Sequence, residues 1–223
     1  VLSALAADGA CVTAPSSHAV AIAQDRIDEK TFLESVAGVP VAPHAALLSA
    51  DDADSLDASL FPAILKTARM GYDGKGQRSV NNIAETKAAF AELGNRVCIL
   101  EKKLSLAKEV SVIVVRSLTG QTVTFPLFEN VHRNGILATT VFPARVSDEV
   151  SQKVRDYAAR IAETLQYKGV LCIEFFVLTD GTVSANEMAP RPHNSGHITI
   201  EAAVTSQFER GCRWVTRRRC ATA

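Results

Sequence analysis

Apolar and polar positions along the chain alternate with two periods, one typical of helices and one typical of strands. The clearest helical pattern runs from Asp148 to Tyr167, with one apolar face formed by Val150, Val154, Tyr157, Ile161 and Leu165. The other patterns predict, in chain order, helix Gln24–Ala37, strand Phe61–Lys66, helix Ile83–Leu93, strand Val97–Glu101, strands Lys108–Ser117 and Gln121–Phe125, and strands Val170–Leu178 and Val183–Met188. This mixture predicts an α+β or α/β fold.

The last two strands are joined by a hairpin signal, Asp180-Gly181. If these two residues form the turn, Thr179 faces Thr182, Val177 faces Ser184, and Glu174 faces Glu187. The Cβ atoms of directly opposed residues lie about 4.5–5.5 Å apart, and like charges on such a pair are destabilising. The hairpin therefore predicts a pair of carboxylates that needs a compensating charge.

A bound divalent cation would compensate the opposed pair. Oxygen ligands from Glu174, Glu187 and Asn186 favour Mg²⁺ over metals that prefer thiolate or imidazole. The alternative is that one carboxyl group is protonated or paired with an arginine, and the hairpin pattern does not decide between the two.

The hairpin is followed by a rigid, donor-rich loop, Ala189–His197, with the sequence APRPHNSGH. Arg191 offers a planar fork for phosphate or carboxylate, and His193 can bind an anion or move a proton near neutral pH. The alternative is a structural loop before a helix that begins near Thr199, with Ser195 or His197 as its N-terminal cap.

A second candidate site follows the strand that ends at Lys66. Gly71, Gly74 and Gly76 allow close backbone approach, so successive amides could form a nest over phosphates while Lys66 supplies a positive charge. Neither the P-loop pattern nor the dinucleotide-binding pattern fits this stretch. A glycine-rich hairpin that covers phosphates and a plain turn are the two remaining interpretations.

The amino-acid composition limits the classes of partner that the chain is expected to bind. The 223 residues contain 24 Lys plus Arg and 24 Asp plus Glu, so no net charge favours nucleic acid or an anionic membrane. The five cysteines are widely spaced and form no C-x-x-C pair, which favours reduced thiols in the cytoplasm. The start, VLSALAADGACV, has neither a basic region nor an initiator Met, so we expect the chain to begin inside a longer protein.

The motif NEMAPRPHNSGH, followed by TIEAAVTSQFE, resembles the closing motif of the N5-carboxyaminoimidazole ribonucleotide synthases, which are ATP-grasp enzymes. The QDR…EK…FL pattern from residue 24 is similar to the entry of their ATP-grasp region. The resemblance implies two subdomains that clamp ATP between the glycine-rich hairpin and the metal-bearing sheet. It also implies an ATP-grasp domain at 24–209 with a small subdomain at about 61–104, preceded at 1–23 by the remnant of an N-terminal nucleotide-fold domain.

The resemblance assigns roles to individual residues. Mg²⁺ is held by Glu174 and Glu187. Arg191 and His193 face the bicarbonate-derived group and the ribonucleotide, and Tyr72 and Asp73 reach the same pocket. The residues implied to bind ATP are Arg26, Lys66, Gly71, Tyr72, Asp73, Gly74, Lys75, Gly76, Gln77, Glu101, Lys102, Lys103, Leu104, Glu109, His132, Asn186 and Glu187, with 101–104 gripping adenine and Glu109 the ribose.

The implied reaction activates bicarbonate with ATP as carboxyphosphate, which then carboxylates the amine of 5-aminoimidazole ribonucleotide. The alternatives are another ATP-grasp carboxylate–amine ligase or transformylase, and a non-catalytic ATP-binding module. The resemblance implies a homodimer for the full-length protein. Residues 210–223, rich in arginine and without helix or strand period, depart from the family, whose further C-terminal domain is missing. We therefore expect the chain as written to bind MgATP weakly and not to carboxylate the ribonucleotide at a useful rate.

Overall fold

We analysed a computed structural model of the protein, which describes residues 16–71, 76–133 and 135–215. The smaller of its two sheets is antiparallel, with strand order β1-β4-β2-β3. Its strands are β1 (His44–Leu47), β2 (Ala63–Thr67), β3 (Gln77–Val80) and β4 (Cys98–Lys102). Strand β1 was not predicted, so this sheet begins earlier in the chain than the small subdomain expected at about 61–104.

Helix α3 (Ile83–Glu92) covers the smaller sheet. Strand β2 alternates between buried and half-buried positions, and Leu65 and Leu100 meet Phe90 of α3 in one apolar cluster. The 3₁₀ turns Asp51–Ser55 and Ala58–Leu60 add Ala53 and Leu60 to this cluster. The strand predicted at Phe61–Lys66 is therefore confirmed, with bounds of Ala63–Thr67.

The larger sheet contains six strands in the order β10-β9-β5-β7-β8, with β6 paired to β5. The strands are β5 (Leu106–Arg116), β6 (Thr122–Thr124), β7 (Phe128–Arg133), β8 (Ile136–Val141), β9 (Gly169–Leu178) and β10 (Val183–Ala189). Strand β5 is buried on both faces, since Val112 packs in one apolar cluster and Ile113 in another. This explains why the segment Val112–Val115 is continuously apolar.

Helix α4 (Asp148–Thr164) packs on one face of the larger sheet. Val154 and Ile161 of the predicted apolar face are fully buried there. The helix ends three residues before the predicted Tyr167, because Gln166 adopts a positive φ of 48° and turns the chain towards β9. No helix in residues 16–71, 76–133 or 135–215 is both long and apolar enough to cross a membrane.

The single helix predicted at Gln24–Ala37 is wrong in its extent. Helix α1 (Ser17–Ala23) comes first, and α2 (Arg26–Thr31) begins after Asp25, whose side chain accepts hydrogen bonds from the amides of Ile27 and Asp28. A π-helical segment, Phe32–Val36, follows α2 directly. Asp25 therefore acts as an N-terminal cap, where its carboxylate satisfies amides that the first turn leaves unpaired.

The turn between β9 and β10 is also different from the predicted one. Val183 pairs with Val177 and Ser184 with Phe176, so the loop contains three residues, with Gly181 at a φ of 82°. The predicted pairing of Val177 with Ser184 is therefore wrong. The register then shifts between Ala185 and Glu187, and Glu187 faces Glu174 as predicted. The extra residue at this shift is Asn186, which makes a β-bulge.

The chain after the hairpin forms a 3₁₀ turn (Asn194–Gly196), a short helix α5 (Thr199–Ala202) and helix α6 (Gln207–Val215). The expectation of no helix after Glu209 is wrong for 210–215, because α6 packs against β9 and β5. Arg210 is buried and its guanidinium lies 4.9 Å from the centre of the Phe125 ring. Residues 216–223 lie outside the described part of the chain, and the predicted domain boundaries stay predictions.

Candidate functional site

The two opposed carboxylates lie in the middle of the β9–β10 pair, directly after the bulge at Asn186. The Glu174 side chain is 13% exposed and that of Glu187 40%. Burial, followed by the negative charge of Glu187, raises the pKa of Glu174 to about 7, and a hydrogen bond from the Asn186 side chain lowers it in part. Glu174 is therefore a largely buried carboxyl group that faces a second carboxylate, as the sequence predicts.

Glu187 is paired with Arg26, whose Nη1 lies 3.0 Å from Glu187 Oε2. Burial alone would raise the pKa of Glu187, but the Arg26 guanidinium overcomes this effect and holds that pKa below its ordinary value. The arginine pairing considered as the alternative to a metal is thus present. Arg26, which was predicted to contact the nucleotide, therefore pairs with Glu187, which was predicted to hold Mg²⁺.

The donor set fits a magnesium ion bound together with phosphates. Among the described residues, no group of three or more His, Cys, Asp or Glu side chains is arranged to hold a metal, so the candidate site has two carboxylates. Mg²⁺ is commonly held by one or two carboxylates, with substrate phosphates and water as its other ligands. The raised pKa of Glu174 indicates that a cation at this position would relieve an existing repulsion.

Lys66 and Glu101, predicted for two different parts of the ATP site, form one buried ion pair. Lys66 Nζ lies 2.9 Å from Glu101 Oε2, and Lys30 Nζ lies 3.4 Å from the same oxygen. Burial would raise the pKa of Glu101, but the two lysines keep it below its ordinary value. Burial lowers the pKa of Lys66 despite this partner.

The segment predicted to grip adenine continues from β4 and is anchored by its backbone. The Lys102 amide donates to the carbonyl of Pro43, and the Lys103 amide donates to that of Pro62. Both bonds hold the start of the segment in place ahead of Leu104. Its predicted contact with adenine stays a prediction.

Glu109 and His132 lie on the neighbouring strands β5 and β7. His132 Nδ1 is 2.7 Å from Glu109 Oε2, and the adjacent Glu109 carboxylate raises the pKa of His132. The structure therefore brings the residue predicted for the ribose and the histidine predicted to approach the nucleotide into direct contact. Their contacts with a nucleotide stay predictions.

The loop after β10 is held by Gln207 of α6. The His193 amide donates to Gln207 Oε1, and Gln207 Nε2 donates to the His193 carbonyl. The His193 Nε2 atom lies 3.5 Å from Glu174 Oε1, and burial, followed by the charge of Arg191, lowers the pKa of His193 to about 4. His193 is thus a neutral imidazole beside the carboxylate pair.

Neither predicted cap of the helix near Thr199 is found. No side chain caps α5, and His193 instead caps the 3₁₀ turn, where its Nδ1 accepts a hydrogen bond from the Ser195 amide. His197 lies at the C-terminal end of that turn. The loop is therefore organised around His193.

A cavity of about 450 Å³ lies beside Glu187, lined among others by Arg26, Glu29, Gly71, Glu187, Arg191 and His193. Arg191 is exposed at its rim. In the glycine-rich loop, a Cβ on Gly76 would lie 2.8 Å from Thr67 Oγ1, so this position requires glycine. Gln77 pairs with Lys66 across β2 and β3. Tyr72, Asp73, Gly74 and Lys75 lie outside the described residues.

A buried polar cluster beside the site was not predicted. Asn130 donates to Ser111 Oγ, Ser111 donates to Ser195 Oγ, and Ser195 Oγ lies 2.9 Å from His193 Nδ1. Ser111 and Ser195 are fully buried. The only signal in the sequence is one serine inside the apolar run VSVIVV.

We expect Ser111→Ala to lower the free energy of unfolding by about 1–3 kcal/mol, because it leaves buried partners of Ser111 unpaired. Ser184 is a matched control: it is also buried in the larger sheet, but its hydroxyl has no hydrogen-bond partner among the described residues. Urea unfolding of Ser111→Ala and Ser184→Ala measures the difference. Equal stability of the two variants would contradict the importance of the cluster.

Comparison with known proteins identifies the family. The model of the ATP-grasp domain matches residues 32–208, so the chain belongs to the ATP-grasp family. The chain is similar to N5-carboxyaminoimidazole ribonucleotide synthase of Bacillus subtilis (strain 168), with 44% identity over 200 residues that cover 89% of this chain and 52% of that protein. The predicted ATP-grasp fold and the resemblance to this synthase are therefore confirmed.

Two solved structures extend the comparison. An N5-carboxyaminoimidazole ribonucleotide synthetase solved with ADP is 41% identical with a TM-score of 0.87, over 93% of this chain and 55% of that one. The Aspergillus clavatus synthase, solved with ADP and 5-aminoimidazole ribonucleotide, is 30% identical with a TM-score of 0.85, also over 93% and 55%. The chain thus spans about half the length of the relatives that it matches.

Proposed function

We propose that this chain provides the ATP- and Mg²⁺-binding part of an N5-carboxyaminoimidazole ribonucleotide synthase. The proposed reaction uses ATP and bicarbonate to carboxylate 5-aminoimidazole ribonucleotide in de novo purine biosynthesis. The observation that carries the proposal is the opposed pair Glu174 and Glu187, of which Glu187 lines the cavity together with Arg191 and His193. The similarity to synthases solved with ADP supports it.

The carboxylate pair would hold Mg²⁺, which neutralises phosphate charge during phosphoryl transfer when it is bound. Arg26 Nη1 lies 3.0 Å from Glu187 Oε2, so its guanidinium would add a second positive charge beside the ion. Gly71 lies at the cavity, and the positive φ of Gly76 shapes the exit of the loop that we propose covers the triphosphate. Lys66 of β2 supplies a further positive charge.

The acceptor side of the proposed site is formed by the loop after β10. Arg191 would contact the anionic groups of bicarbonate and the ribonucleotide, since its guanidinium is exposed at the cavity. His193 is neutral and held by Gln207, so it can position a polar group without adding charge.

We further propose that the full-length protein is a cytoplasmic homodimer.

We expect Arg191→Ala to leave ATP affinity unchanged and to lower kcat/KM for the ribonucleotide about tenfold or more, because a charge-assisted contact is worth roughly 1.5–3 kcal/mol. Arg155→Ala is the control, since Arg155 lies on α4 and bonds only to that helix among the described residues. ATP calorimetry and ribonucleotide-dependent ADP release separate the two effects. An equal loss of ATP affinity would place Arg191 at the nucleotide instead.

The direct test of the proposed reaction is the choice of acceptor. ADP release is measured with bicarbonate and, in turn, 5-aminoimidazole ribonucleotide, phosphoribosylamine with glycine, and biotin. Because this chain is half the length of its relatives, the assay uses the chain joined to the flanking segments of the Bacillus subtilis synthase. Stimulation by the aminoimidazole alone supports the proposal, and stimulation by another acceptor contradicts it.

A further inference from the structure

Strand β10 forms an edge of the larger sheet, and its outward backbone groups need partners. It pairs with β9 on one side, and on the other side Val41 forms an isolated bridge with Ala185, whose amide donates to the Pro40 carbonyl. Unpaired backbone groups at a buried edge are costly. The positions beyond Ala185 must therefore be satisfied by something other than a strand.

Two buried polar side chains of α2 fill this role. Lys30 Nζ donates to the Asn186 carbonyl at 2.6 Å, and Glu29 Oε1 accepts from the Met188 amide at 2.6 Å. Glu29 is only 2% exposed and Lys30 only 1%. The two contacts lie on the residues immediately before and after Glu187.

These contacts fall on the bulge that determines which way Glu187 faces. Val183, Ser184 and Ala185 pair with β9 in one register, and the register shifts by one residue before Glu187. Without that shift, Glu174 would face Asn186, and Glu187 would point to the opposite face of the sheet. A one-residue slip exchanges the faces of a strand in this way.

We propose that Glu29 and Lys30 are positioning residues that hold the bulged backbone at 186–188, so that the Glu187 carboxylate stays opposite Glu174. The inference rests on the proposed function, in which these two carboxylates hold Mg²⁺. Arg26, Glu29 and Lys30 have the spacing of one helix face, and all three contact residues 186–188. Lys30 also lies 3.4 Å from Glu101 and so ties the bulge to strand β4 of the smaller sheet.

Matched variants test this role. Glu29→Leu removes the acceptor for the Met188 amide, whereas Glu29→Gln keeps an oxygen acceptor of the same shape. Lys30→Met removes the donor to Asn186 and leaves Glu101 paired with Lys66. Lys87→Met is a control at an exposed lysine, which pairs with Asp54 on the surface.

The first measurement is ATP affinity by calorimetry, in Mg²⁺ and in EDTA. Loss of an outer partner of a metal ligand typically lowers metal affinity about 10–100-fold. We expect the gain in ATP affinity caused by Mg²⁺ to fall at least about tenfold in Glu29→Leu and Lys30→Met. The ATP affinity of these two variants in EDTA should stay close to that of the wild type. The control variants Glu29→Gln and Lys87→Met should match the wild type in both Mg²⁺ and EDTA. Should Glu29→Leu fail to fold, Lys30→Met carries the test.

The second measurement is hydrogen exchange at the Met188 amide without nucleotide, which we expect to be faster in Glu29→Leu than in Glu29→Gln. Variants that are less stable but keep the full effect of Mg²⁺ on ATP affinity would overturn the positioning role. A wild-type chain whose ATP affinity does not respond to Mg²⁺ would instead overturn the metal assignment in the proposed function, and the inference with it. The wild-type titration therefore distinguishes the two failures.

Discussion

Glu187→Gln is expected to reduce Mg²⁺-dependent ATP turnover by about 100-fold or more. Loss of a residue that only supports a metal ligand costs about 10–100-fold, and loss of the ligand itself should cost at least the upper end of that range. The substitution removes one of only two carboxylates in the proposed metal site. It also relieves the repulsion with Glu174, while Arg26 loses a partly exposed ion pair worth about 1 kcal/mol or less. The stability without metal should therefore stay nearly level.

Steady-state ADP release at saturating Mg²⁺ measures the loss in Glu187→Gln, and urea unfolding in EDTA checks that the fold is intact. Glu163→Gln is the control, because Glu163 is an exposed acid on α4. Both variants are made in the chain joined to the flanking segments of the Bacillus subtilis relative. Normal ATP turnover in Glu187→Gln would show that this residue is not a metal ligand.

The second large effect concerns the acceptor. We expect the 223 residues alone to bind MgATP but to show no ADP release that depends on 5-aminoimidazole ribonucleotide. The proposed ATP elements from Arg26 to Glu187 all fall within this chain, but the match covers only 52% of the Bacillus subtilis relative. Within the described residues, the cavity is lined by Val20 and Ala23 of the short helix α1 and by the exposed Arg191.

Joining the chain to the flanking segments of that relative should restore acceptor-dependent ADP release while changing ATP affinity little. Calorimetry and a coupled ADP assay on both proteins provide the comparison. If the 223 residues alone release ADP as fast as the joined protein, the acceptor site lies wholly within them.

The position of Glu187 shows how far the sequence could predict the site. The Asp-Gly signal identified the hairpin, the apolar run Val170–Leu178 identified its first strand, and Val183–Met188 was predicted as the returning strand. The turn was predicted one residue too short, and the bulge at Asn186 was not predicted. These two differences cancel at Glu187, so the opposed carboxylates were predicted correctly although Val177 and Ser184 were not. A bulge does not interrupt the apolar pattern enough to be seen without coordinates.

The charged residues of α2 were harder to interpret. Within QDRIDEK, Glu29 and Lys30 look like ordinary surface charges of a short helix, because periodicity does not show what lies against a polar face. In the fold this face lies against an edge strand, and both side chains are buried. Arg210 is a similar case, since an arginine-rich sequence suggested a tail while its side chain packs on Phe125. The burial of Glu29, Lys30 and Arg210 is determined by tertiary packing, which the local sequence does not show.

Calorimetric titration of ATP into the wild-type chain and into the double variant Glu174→Gln, Glu187→Gln, each in Mg²⁺ and in EDTA, tests the central claim most directly. We predict one nucleotide site per chain in the wild type, with an affinity that Mg²⁺ increases, and no such increase in the double variant. An equal effect of Mg²⁺ on both proteins would contradict the assignment of the opposed carboxylates as the metal site.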